Sequence, residues 1–268
     1  MKREFAVLGI VTALLVGLGG GFLGGWFVPP PITTQEDASL LSQIKLRGTL
    51  KVGTSADYPP FENYNFTLDL IEGFDVDVTE MIGDGIGVTV EWSDIPFDSL
   101  IGACLSGEID MIAAAMTYNE QRAQQLAPSS TYITVSQAVV VKQSSILTIT
   151  HLDNLTSYTV GVQSGTVMQD ELVALGMTVG VDLITFARAD LLMADLDIGG
   201  VDAVYVDEPI FTAFNQTYAL KVIFSTPSEP LALWTRLGEP ELLYEINNVI
   251  LDGYNSGWIY TAITKWFG

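Results

Sequence analysis

The sequence predicts an α/β protein with two lobes, each built on a largely parallel β-sheet, preceded by an apolar N-terminal helix. Three observations support this prediction. From Thr49 onward, short β-rich runs alternate with helical stretches, a pattern typical of parallel sheets with crossover helices. The alternation comes as two successive series, which indicates two lobes. Ahead of both series lie 24 uncharged residues, 5–28.

The composition narrows the class of protein. The chain has 268 residues, 49% of them hydrophobic, and 11 Lys and Arg against 32 Asp and Glu, for a formal net charge of −21. That hydrophobic fraction excludes intrinsic disorder, and the shortage of clustered basic residues excludes ordinary nucleic-acid binding. One cysteine and one histidine exclude a disulfide framework and a Cys-rich metal site. We therefore expect neither a metal nor a cofactor.

The N-terminal 28 residues predict a membrane anchor or a signal segment. Lys2 and Arg3 precede the uncharged run, which is long enough to cross a hydrocarbon layer of about 30 Å. Those cations orient the N-terminus inside and the bulk of the chain outside. Because the run ends in a poor cleavage site, Gly24–Val28, we expect an uncleaved anchor, with a cleaved signal peptide as the alternative. Residues 29–45 begin with three prolines, and their composition predicts a linker.

The first series of elements follows the linker. We predict strands at Leu50–Thr54, Val88–Trp92 and Ile109–Ala115, and helices at Gly73–Ile82 and Ser99–Ser106. Acidic side chains open the helix at 73–82, where they suit a helix N-terminus. Apart from Asp110, the run 109–115 is apolar, which indicates a buried strand.

The second series begins at the apolar run Val139–Val141. It continues with strands at Tyr158–Val162 and Val201–Val206, a helix from Val167, and two closing helices at 239–251 and 258–266. Ligands of parallel α/β sheets bind beyond the carboxyl ends of the strands. Residues that directly follow each strand are therefore the candidates for a functional site.

Eight motifs near those positions resemble a known family. In chain order they are Gly53–Phe61, Gly73–Val78, Phe97–Ile101, Gly107–Met111, Met116–Arg122, Gly161–Thr166, Asp202–Val204 with Asp207–Pro209, and Lys265–Gly268. Together, at this order and spacing, they are similar to the amino-acid-binding proteins of ABC importers, which are family 3 solute-binding proteins with the type II periplasmic-binding-protein fold. The resemblance covers residues 46–268.

The resemblance implies a fold and a function. We expect a ligand cleft between lobe 1, residues 46–132 and 231–268, and lobe 2, residues 137–228. The expected function is to bind a free amino acid outside the cytoplasmic membrane and deliver it to an ABC permease with a cytoplasmic ATPase, as a monomer. Three acceptor sequons, at Asn65, Asn154 and Asn215, also fit an external location.

Arg122 is the candidate cation for the ligand carboxylate. It is the only Lys or Arg between Val52 and Val141 and stands among 14 acidic residues. From the residues alone, a structural salt bridge is as good an explanation. Thr117, five residues earlier, matches the carboxylate clamp of the family, and this resemblance favours binding. A guanidinium can hold a carboxylate through two parallel hydrogen bonds.

Asp207 is the candidate anion for the ligand ammonium. It directly follows an apolar strand, and the residues alone leave open whether it caps the next helix or binds a ligand. The family resemblance favours ammonium binding. Thr166, in Ser164–Gly165–Thr166, lies between a strand and a helix, so the amides of this turn can face the ligand carboxylate.

Three further positions follow from the resemblance. Tyr58 and Phe97 match the two aromatic walls that enclose the ligand's aliphatic stem. Ala115 matches a position whose backbone carbonyl accepts a hydrogen bond from the ammonium.

The positions that select the ligand side chain differ from those of relatives with charged ligands. In such relatives an aspartate at the position of Ser55 binds a cationic or amide side chain, and Gln163 and Val206 occupy two other specificity positions. Since none of these residues is charged, we expect a neutral amino acid, polar or apolar.

Two other functions use the same fold. One is a periplasmic enzyme similar to the cyclohexadienyl dehydratases, which need an acid or base over a dicarboxylic substrate; a cleft with a single arginine from lobe 1 and a site without histidine argue against it. The other is a sensory module, which in this chain could act only through a signalling partner.

Overall fold

The computed structural model describes residues 39–268. The predicted anchor, 1–28, and residues 29–38 of the predicted linker lie outside the described residues. Within 39–268, no helix combines the length and the apolar character that a membrane span requires.

Helices and strands alternate along the described chain. The α-helices are α1 (Leu40–Arg47), α2 (Phe74–Ile86), α3 (Leu100–Ser106), α4 (Glu120–Ala123), α5 (Val167–Ala174), α6 (Ala189–Ile198), α7 (Glu208–Phe214), α8 (Pro240–Ser256) and α9 (Trp258–Phe267). The strands of the first half are β1 (Thr49–Thr54), β2 (Asp57–Tyr58), β3 (Glu62–Asn65), β4 (Leu70–Glu72), β5 (Thr89–Asp94), β6 (Met111–Ile112), β7 (Leu126–Pro128) and β8 (Ile133–Val135). Those of the second half are β9 (Gln137–Lys142), β10 (Val160–Gln163), β11 (Leu183–Phe186), β12 (Ala203–Asp207), β13 (Leu220–Ser225), β14 (Glu229–Leu231) and β15 (Trp234–Arg236).

The first lobe is built on a five-stranded sheet with the order β5-β1-β6-β15-β7. Strand β1 pairs in parallel with β5 and β6, whereas β15 runs antiparallel to β6 and β7. Met111 and Ala113 pack into the core that includes α2 and α8, while Ile112 and Ala114 pack into the core around α3. This alternation is why residues 111–114 are all apolar, although only Met111 and Ile112 form strand pairs.

The second lobe is built on a five-stranded sheet with the order β11-β10-β12-β9-β13. Strand β10 pairs in parallel with β11 and β12, but β9 runs antiparallel to both of its neighbours, β12 and β13. Our expectation that the apolar run Val139–Val141 opens a parallel series was therefore wrong for that strand. Its apolar residues reflect burial on both faces of the sheet, which an antiparallel central strand shares with a parallel one.

Strands β8 and β14 carry the chain between the two sheets. They pair with each other in antiparallel fashion. Thr117 forms an isolated bridge with Leu231, the last residue of β14. The two lobes are thus joined by a narrow pair of hydrogen-bonded crossings, which is the geometry of a hinge.

The end of the predicted linker is helical. Residues 40–45 belong to α1, in which Leu40 and Ile44 are buried against the first lobe. Ser39 caps this helix through its side chain, and Gly48 ends it with a positive φ. A serine cap followed by two apolar residues one helical turn apart is a signal for the start of a helix. The prediction of a linker missed this signal because most residues of 29–45 are polar or proline.

Candidate functional site

Residues that follow strands of both sheets line one small cavity between the lobes. The first lobe contributes Ser55, Tyr58, Phe97, Ala115, Thr117 and Arg122, and the second contributes Gln163, Thr166, Val167, Met168 and Asp207. The structure thus brings together all nine residues singled out from the sequence, and adds Val167 and Met168. The space left among these side chains is about 10 Å³, roughly the room that one water molecule needs. A larger molecule can therefore enter only when the lobes separate.

Arg122 is a buried cation on this cavity. It lies on α4, next to Asn119, whose side chain accepts a hydrogen bond from the Arg122 backbone N–H. The Arg122 side chain is 5% exposed. Its Nη1 donates to the Thr117 carbonyl at 2.6 Å, and its Nη2 donates across the cleft to the Gly165 carbonyl at 3.0 Å. Burial lowers the pKa of Arg122 to about 10, with nearby acidic groups opposing this shift, so the guanidinium is charged at neutral pH.

The Arg122 guanidinium lacks a counter-ion within the described residues. The ion pairs among the described residues all involve cations other than Arg122, and none of the paired residues lines this cavity. The salt bridge that the sequence allowed for Arg122 is therefore not formed in this part of the chain. Phe97 lies under the guanidinium, 5.6 Å from ring centroid to Cζ, which supports the charge only weakly. A buried charge without an ionic partner is costly, and an incoming anion would offset that cost.

Asp207 is the corresponding buried anion. It ends β12 and is 3% exposed. Although it occupies the N-cap position of α7, its side chain makes no capping hydrogen bond, so the capping explanation does not account for it. Its Oδ2 accepts from the Tyr58 hydroxyl at 3.0 Å, and its Oδ1 is buried without a hydrogen-bond partner in the described structure. Burial raises the pKa of Asp207 to about 7, with the Tyr58 hydrogen bond and the Arg122 charge opposing the shift.

The turn at Thr166 is less open than the sequence suggested. The Gly165 N–H donates to Gln169 Oε1 at 2.8 Å, and the Gly165 carbonyl accepts from Arg122. Thr166 caps α5, since its hydroxyl donates to the Gln163 carbonyl and accepts from the Gln169 N–H. The expectation that the amides of this turn are free to face a carboxylate therefore fails for Gly165, because Gln169 of the same helix already uses that donor. The Thr117 hydroxyl has no hydrogen-bond partner in the described part of the chain.

Ala115 owes its conformation to a residue that sequence reasoning interpreted only as helix-start charge. Ala115 has φ of 44°, a left-handed conformation that costs a non-glycine residue about 1–2 kcal/mol. Its N–H donates to Asp75 Oδ2 at 2.7 Å, and Tyr132 donates to both oxygens of Asp75 at 2.8 Å. Asp75 is fully buried, and burial raises its pKa to about 7. Within the described chain no hydrogen bond ends on the Ala115 carbonyl, which leaves that oxygen available in the cavity lining.

Ser55 and Gln163 are two further polar residues of the cavity lining. The Ser55 hydroxyl donates to Asp57 Oδ1 at 2.6 Å. Gln163 Nε2 lies 3.5 Å from Asp57 Oδ2 and from the Ala187 carbonyl oxygen. Asp57 is therefore a second residue that sequence reasoning missed. Its position two residues after Ser55, in a short β2, carries no periodic signal that would place it behind the cavity.

A second and larger groove lies at the hinge. It has a volume of about 670 Å³ and includes Ile133, Val135, Tyr254 and Trp266 in its lining. None of the nine residues predicted from the sequence lines it, and its lining contains no basic side chain. It therefore lacks the paired charges that distinguish the smaller cavity.

Comparison with known proteins identifies the family. The profile of the bacterial extracellular solute-binding proteins, family 3, matches residues 50–268. The chain belongs to this family. Among curated relatives, the L-cystine-binding protein TcyJ of Escherichia coli is 29% identical over 237 residues, which is 87% of each chain. The arginine-binding extracellular protein ArtP of Bacillus subtilis is 27% identical over 222 residues, covering 81% of this chain and 86% of that protein.

Solved structures of family members are similar throughout the described fold. A P235GK mutant of ArgBP from T. maritima superposes with a TM-score of 0.80 at 33% identity, over 85% of this chain and 98% of that one. The ancestral amino acid-binding protein AncCDT-1, described as a precursor of cyclohexadienyl dehydratase, gives a TM-score of 0.79 at 30% identity, over 86% and 100%. Membership of the family and this degree of similarity show that the two-lobed α/β architecture is the type II periplasmic-binding fold.

Proposed function

We propose that the protein is an extracytoplasmic receptor that binds a free amino acid between its lobes and delivers it to an ABC-type permease. One observation carries the proposal. A buried Arg122 without a counter-ion and a buried Asp207 with an unpartnered carboxylate oxygen line the same cavity in the described part of the chain. A free amino acid presents one carboxylate and one ammonium at fixed separation, and it would neutralise both groups at once.

The residues divide by the part of the ligand they would hold. We call Arg122, Thr117, Ala115 and Asp207 the α-group end, and Ser55 and Gln163 the side-chain end. At the α-group end, Arg122 and the Thr117 hydroxyl would donate to the ligand carboxylate, since charge-assisted hydrogen bonds are about twice as strong as neutral ones. The Asp207 carboxylate and the Ala115 carbonyl would accept from the ammonium. Tyr58 and Phe97 would flank the stem between them, and Thr166 would complete the wall as the cap of α5.

Binding would favour the closed arrangement of the lobes, proposed as residues 46–132 with 231–268 and residues 137–228. Arg122 belongs to the first and Asp207 to the second, so only the closed form offers both charges to one ligand. A ligand shifts a conformational equilibrium only through such a difference in affinity between states. The permease would then recognise the closed form.

The ligand is proposed to be an amino acid with a neutral side chain. Neither Ser55 nor Gln163 carries a charge. The names of relatives include cystine-binding, arginine-binding and histidine-binding proteins, so membership of the family leaves the choice of amino acid open.

Calorimetric titration with each of the twenty free amino acids tests both parts of the proposal. We expect one or a few neutral amino acids to bind with a dissociation constant near 1 μM, about 8 kcal/mol. Cystine is added to the series because one relative is a cystine-binding protein, and failure of all these amino acids to bind would refute the receptor function. Arginine as the tightest ligand would refute only the neutral side chain. Mass spectrometry of small molecules that co-purify with the protein provides an independent identification.

The location of the protein is proposed from residues 1–45. The uncharged run 5–28 would act as an uncleaved anchor, with the residues that follow it as a tether to the lobes, and the lobes would work as a monomer outside the cytoplasmic membrane. Extraction of the full-length protein from membranes tests this arrangement. Release by salt or alkali without detergent would contradict an anchor.

An enzyme on this fold is the second candidate, and the similarity to AncCDT-1 favours including it. That neighbour is itself described as an amino acid-binding protein, which agrees with a receptor. Incubation with prephenate or arogenate separates the two functions, because a receptor leaves both compounds unchanged.

A further inference from the structure

Asp57 lies one layer behind the side-chain end and is absent from the cavity lining itself. It belongs to β2 of the first lobe and is 2% exposed. We infer that Asp57 sets the polarity of the side-chain end, so that the pocket selects a neutral amino acid whose side chain donates a hydrogen bond. This inference rests on the proposed function and narrows its ligand class to hydroxyl and carboxamide side chains.

The hydroxyl hydrogen of Ser55 is bonded to Asp57 and does not face the cavity. The Ser55 hydroxyl is a single donor with two lone pairs, and its hydrogen is directed to Asp57 Oδ1 at 2.6 Å. That bond is charge-assisted and so is stronger than a bond to a neutral ligand group. Ser55 can therefore offer the cavity only lone pairs, and it acts toward a ligand as an acceptor.

The side-chain amide of Gln163 is also oriented so that it offers a ligand an acceptor and no donor. Two oxygens, Asp57 Oδ2 and the Ala187 carbonyl, lie near its Nε2, each at 3.5 Å. The amide nitrogen must face this pair of acceptors, because the reverse orientation would bring oxygen against oxygen. In the described chain no donor reaches Gln163 Oε1, so the side-chain end presents two acceptors and withholds its donors.

The charge of Asp57 is already compensated within the protein. Burial raises the pKa of Asp57 to about 6, with the hydrogen bonds from Ser55 and Ala189 and the charge of Arg188 opposing the shift. Asp57 is thus ionised at neutral pH, held by the hydrogen bonds from Ser55 and Ala189 and favoured by the charge of Arg188, which itself pairs with Asp94 and Asp190. A ligand with its own positive side chain would add a charge that the site does not need, which is why a neutral donor fits better than a cation.

The arrangement also depends on closure of the lobes. Asp57 Oδ2 accepts from the backbone N–H of Ala189, the first residue of α6 in the second lobe. The N-cap residue of that helix, Arg188, makes no capping bond with its own side chain, so the first lobe provides the acceptor. Since this contact and the approach to Gln163 both cross the cleft, the two acceptors are fixed together only in the closed form.

Pairs of nearly isosteric amino acids test the inference by calorimetry. Threonine is compared with valine, asparagine with leucine, and glutamine with methionine. In the pair that contains the tightest ligand, we expect wild-type protein to bind the donor-bearing member about 10-fold more tightly or better, because the apolar member leaves buried acceptors unsatisfied.

Asp57→Asn is the informative variant. The carboxamide oxygen that this substitution introduces can still accept from Ala189, but the carboxamide nitrogen then faces the Ser55 oxygen, and the Ser55 hydrogen turns toward the cavity. We expect the preference for the donor-bearing member to fall at least about fivefold. Asp197→Asn removes the same charge from an exposed position on α6 and should leave the preference unchanged.

Ser55→Ala provides a second route if Asp57→Asn fails to fold, as judged by thermal unfolding. It removes one of the two acceptors and should lower the same preference while Asp57 stays in place. An apolar member that binds wild-type protein more tightly, or a preference that survives both substitutions, would overturn this inference and leave the receptor function intact. Wild-type protein that binds no free amino acid would overturn both.

Discussion

The α-group end and the side-chain end of the cavity differ in how far their charged groups lie from the cavity lining. At the α-group end the charged groups, Arg122 and Asp207, lie in the lining itself and each lacks an ionic partner among the described residues. At the side-chain end the charge of Asp57 lies one layer back and is already compensated. The difference follows from the ligand. Every free amino acid brings the same two charges to the α-group end, whereas the side-chain end needs only a pattern of donors and acceptors.

Removing the cation of the α-group end should have the largest effect. We expect Arg122→Met to weaken binding of the best amino acid about 100-fold or more, because truncating one partner of a buried charge pair costs about 2–5 kcal/mol. Calorimetry measures the loss. Arg47→Met is the matched control, since Arg47 pairs with Asp110 far from the cleft lining; equal losses in the two variants would contradict a specific role for Arg122.

Neutralising the anion should have the next largest effect. We expect Asp207→Asn to weaken binding about 10- to 100-fold, since a neutral amide accepts from an ammonium much less strongly than a carboxylate does. Glu208→Gln makes the same change in charge one residue further along and should bind like wild type. If Asp207→Asn also binds like wild type, the ammonium is held elsewhere.

The pH dependence of binding sharpens the contrast between the two ends. In the closed form without ligand, Asp207 lies near Tyr58, Glu229 and Arg122 and has a pKa of about 7, which burial raises, and it must lose its proton to pair with an ammonium. Affinity should therefore rise with pH, by up to about tenfold per unit below pH 7, and level off above it. Titrations between pH 5.5 and 8 measure the slope, and Asp207→Asn should remove most of it.

The hydroxyl of Tyr58 should contribute least. It donates to Asp207 across the cleft at 3.0 Å, and a neutral donor of this kind is worth about 0.5–1.5 kcal/mol. We expect Tyr58→Phe to change affinity about two- to tenfold while thermal stability stays close to that of wild type. Tyr64→Phe, which removes a surface hydroxyl, is the control. A loss as large as that of Asp207→Asn would mean that Tyr58 contacts the ligand charge directly.

The α-group end was also the part of the site most open to prediction from sequence. Arg122 stood out as an isolated cation among acidic residues, and Asp207 followed an apolar strand. Both signals are local in the chain, but the residues alone left a salt bridge and a helix cap open as explanations, and the family resemblance favoured binding for both. The resemblance of eight motifs to one family placed the remaining seven residues of the lining.

The groups behind the lining could not be found in this way. Asp57 contacts Gln163 and Ala189, which are 106 and 132 residues away in sequence, and Asp75 contacts Ala115, 40 residues away. None of these contacts leaves a periodic or compositional trace. The Gly165 amide was wrongly expected to be free for a different reason: its partner Gln169 is only four residues away, but the sequence does not show which acceptor a glutamine side chain offers to a nearby N–H.

The fold, like the site, could be predicted only in part from the sequence. Apolar runs identified the buried strands, and a helix-start signal identified α2, but the antiparallel direction of β9 depends on how the chain re-enters the second lobe from β8. Burial on both faces makes such a strand apolar whichever way it runs. Strand direction was therefore beyond what the pattern could predict.

The most direct test of the central claim compares the tightest-binding amino acid with its α-carboxamide, which lacks only the negative charge. Calorimetry is performed on wild-type protein and on Arg122→Met. We expect the carboxamide to bind wild type about 100-fold more weakly than the amino acid, and the two compounds to bind Arg122→Met with nearly equal affinity. A carboxamide that binds wild-type protein as tightly as the amino acid would contradict a carboxylate held by Arg122.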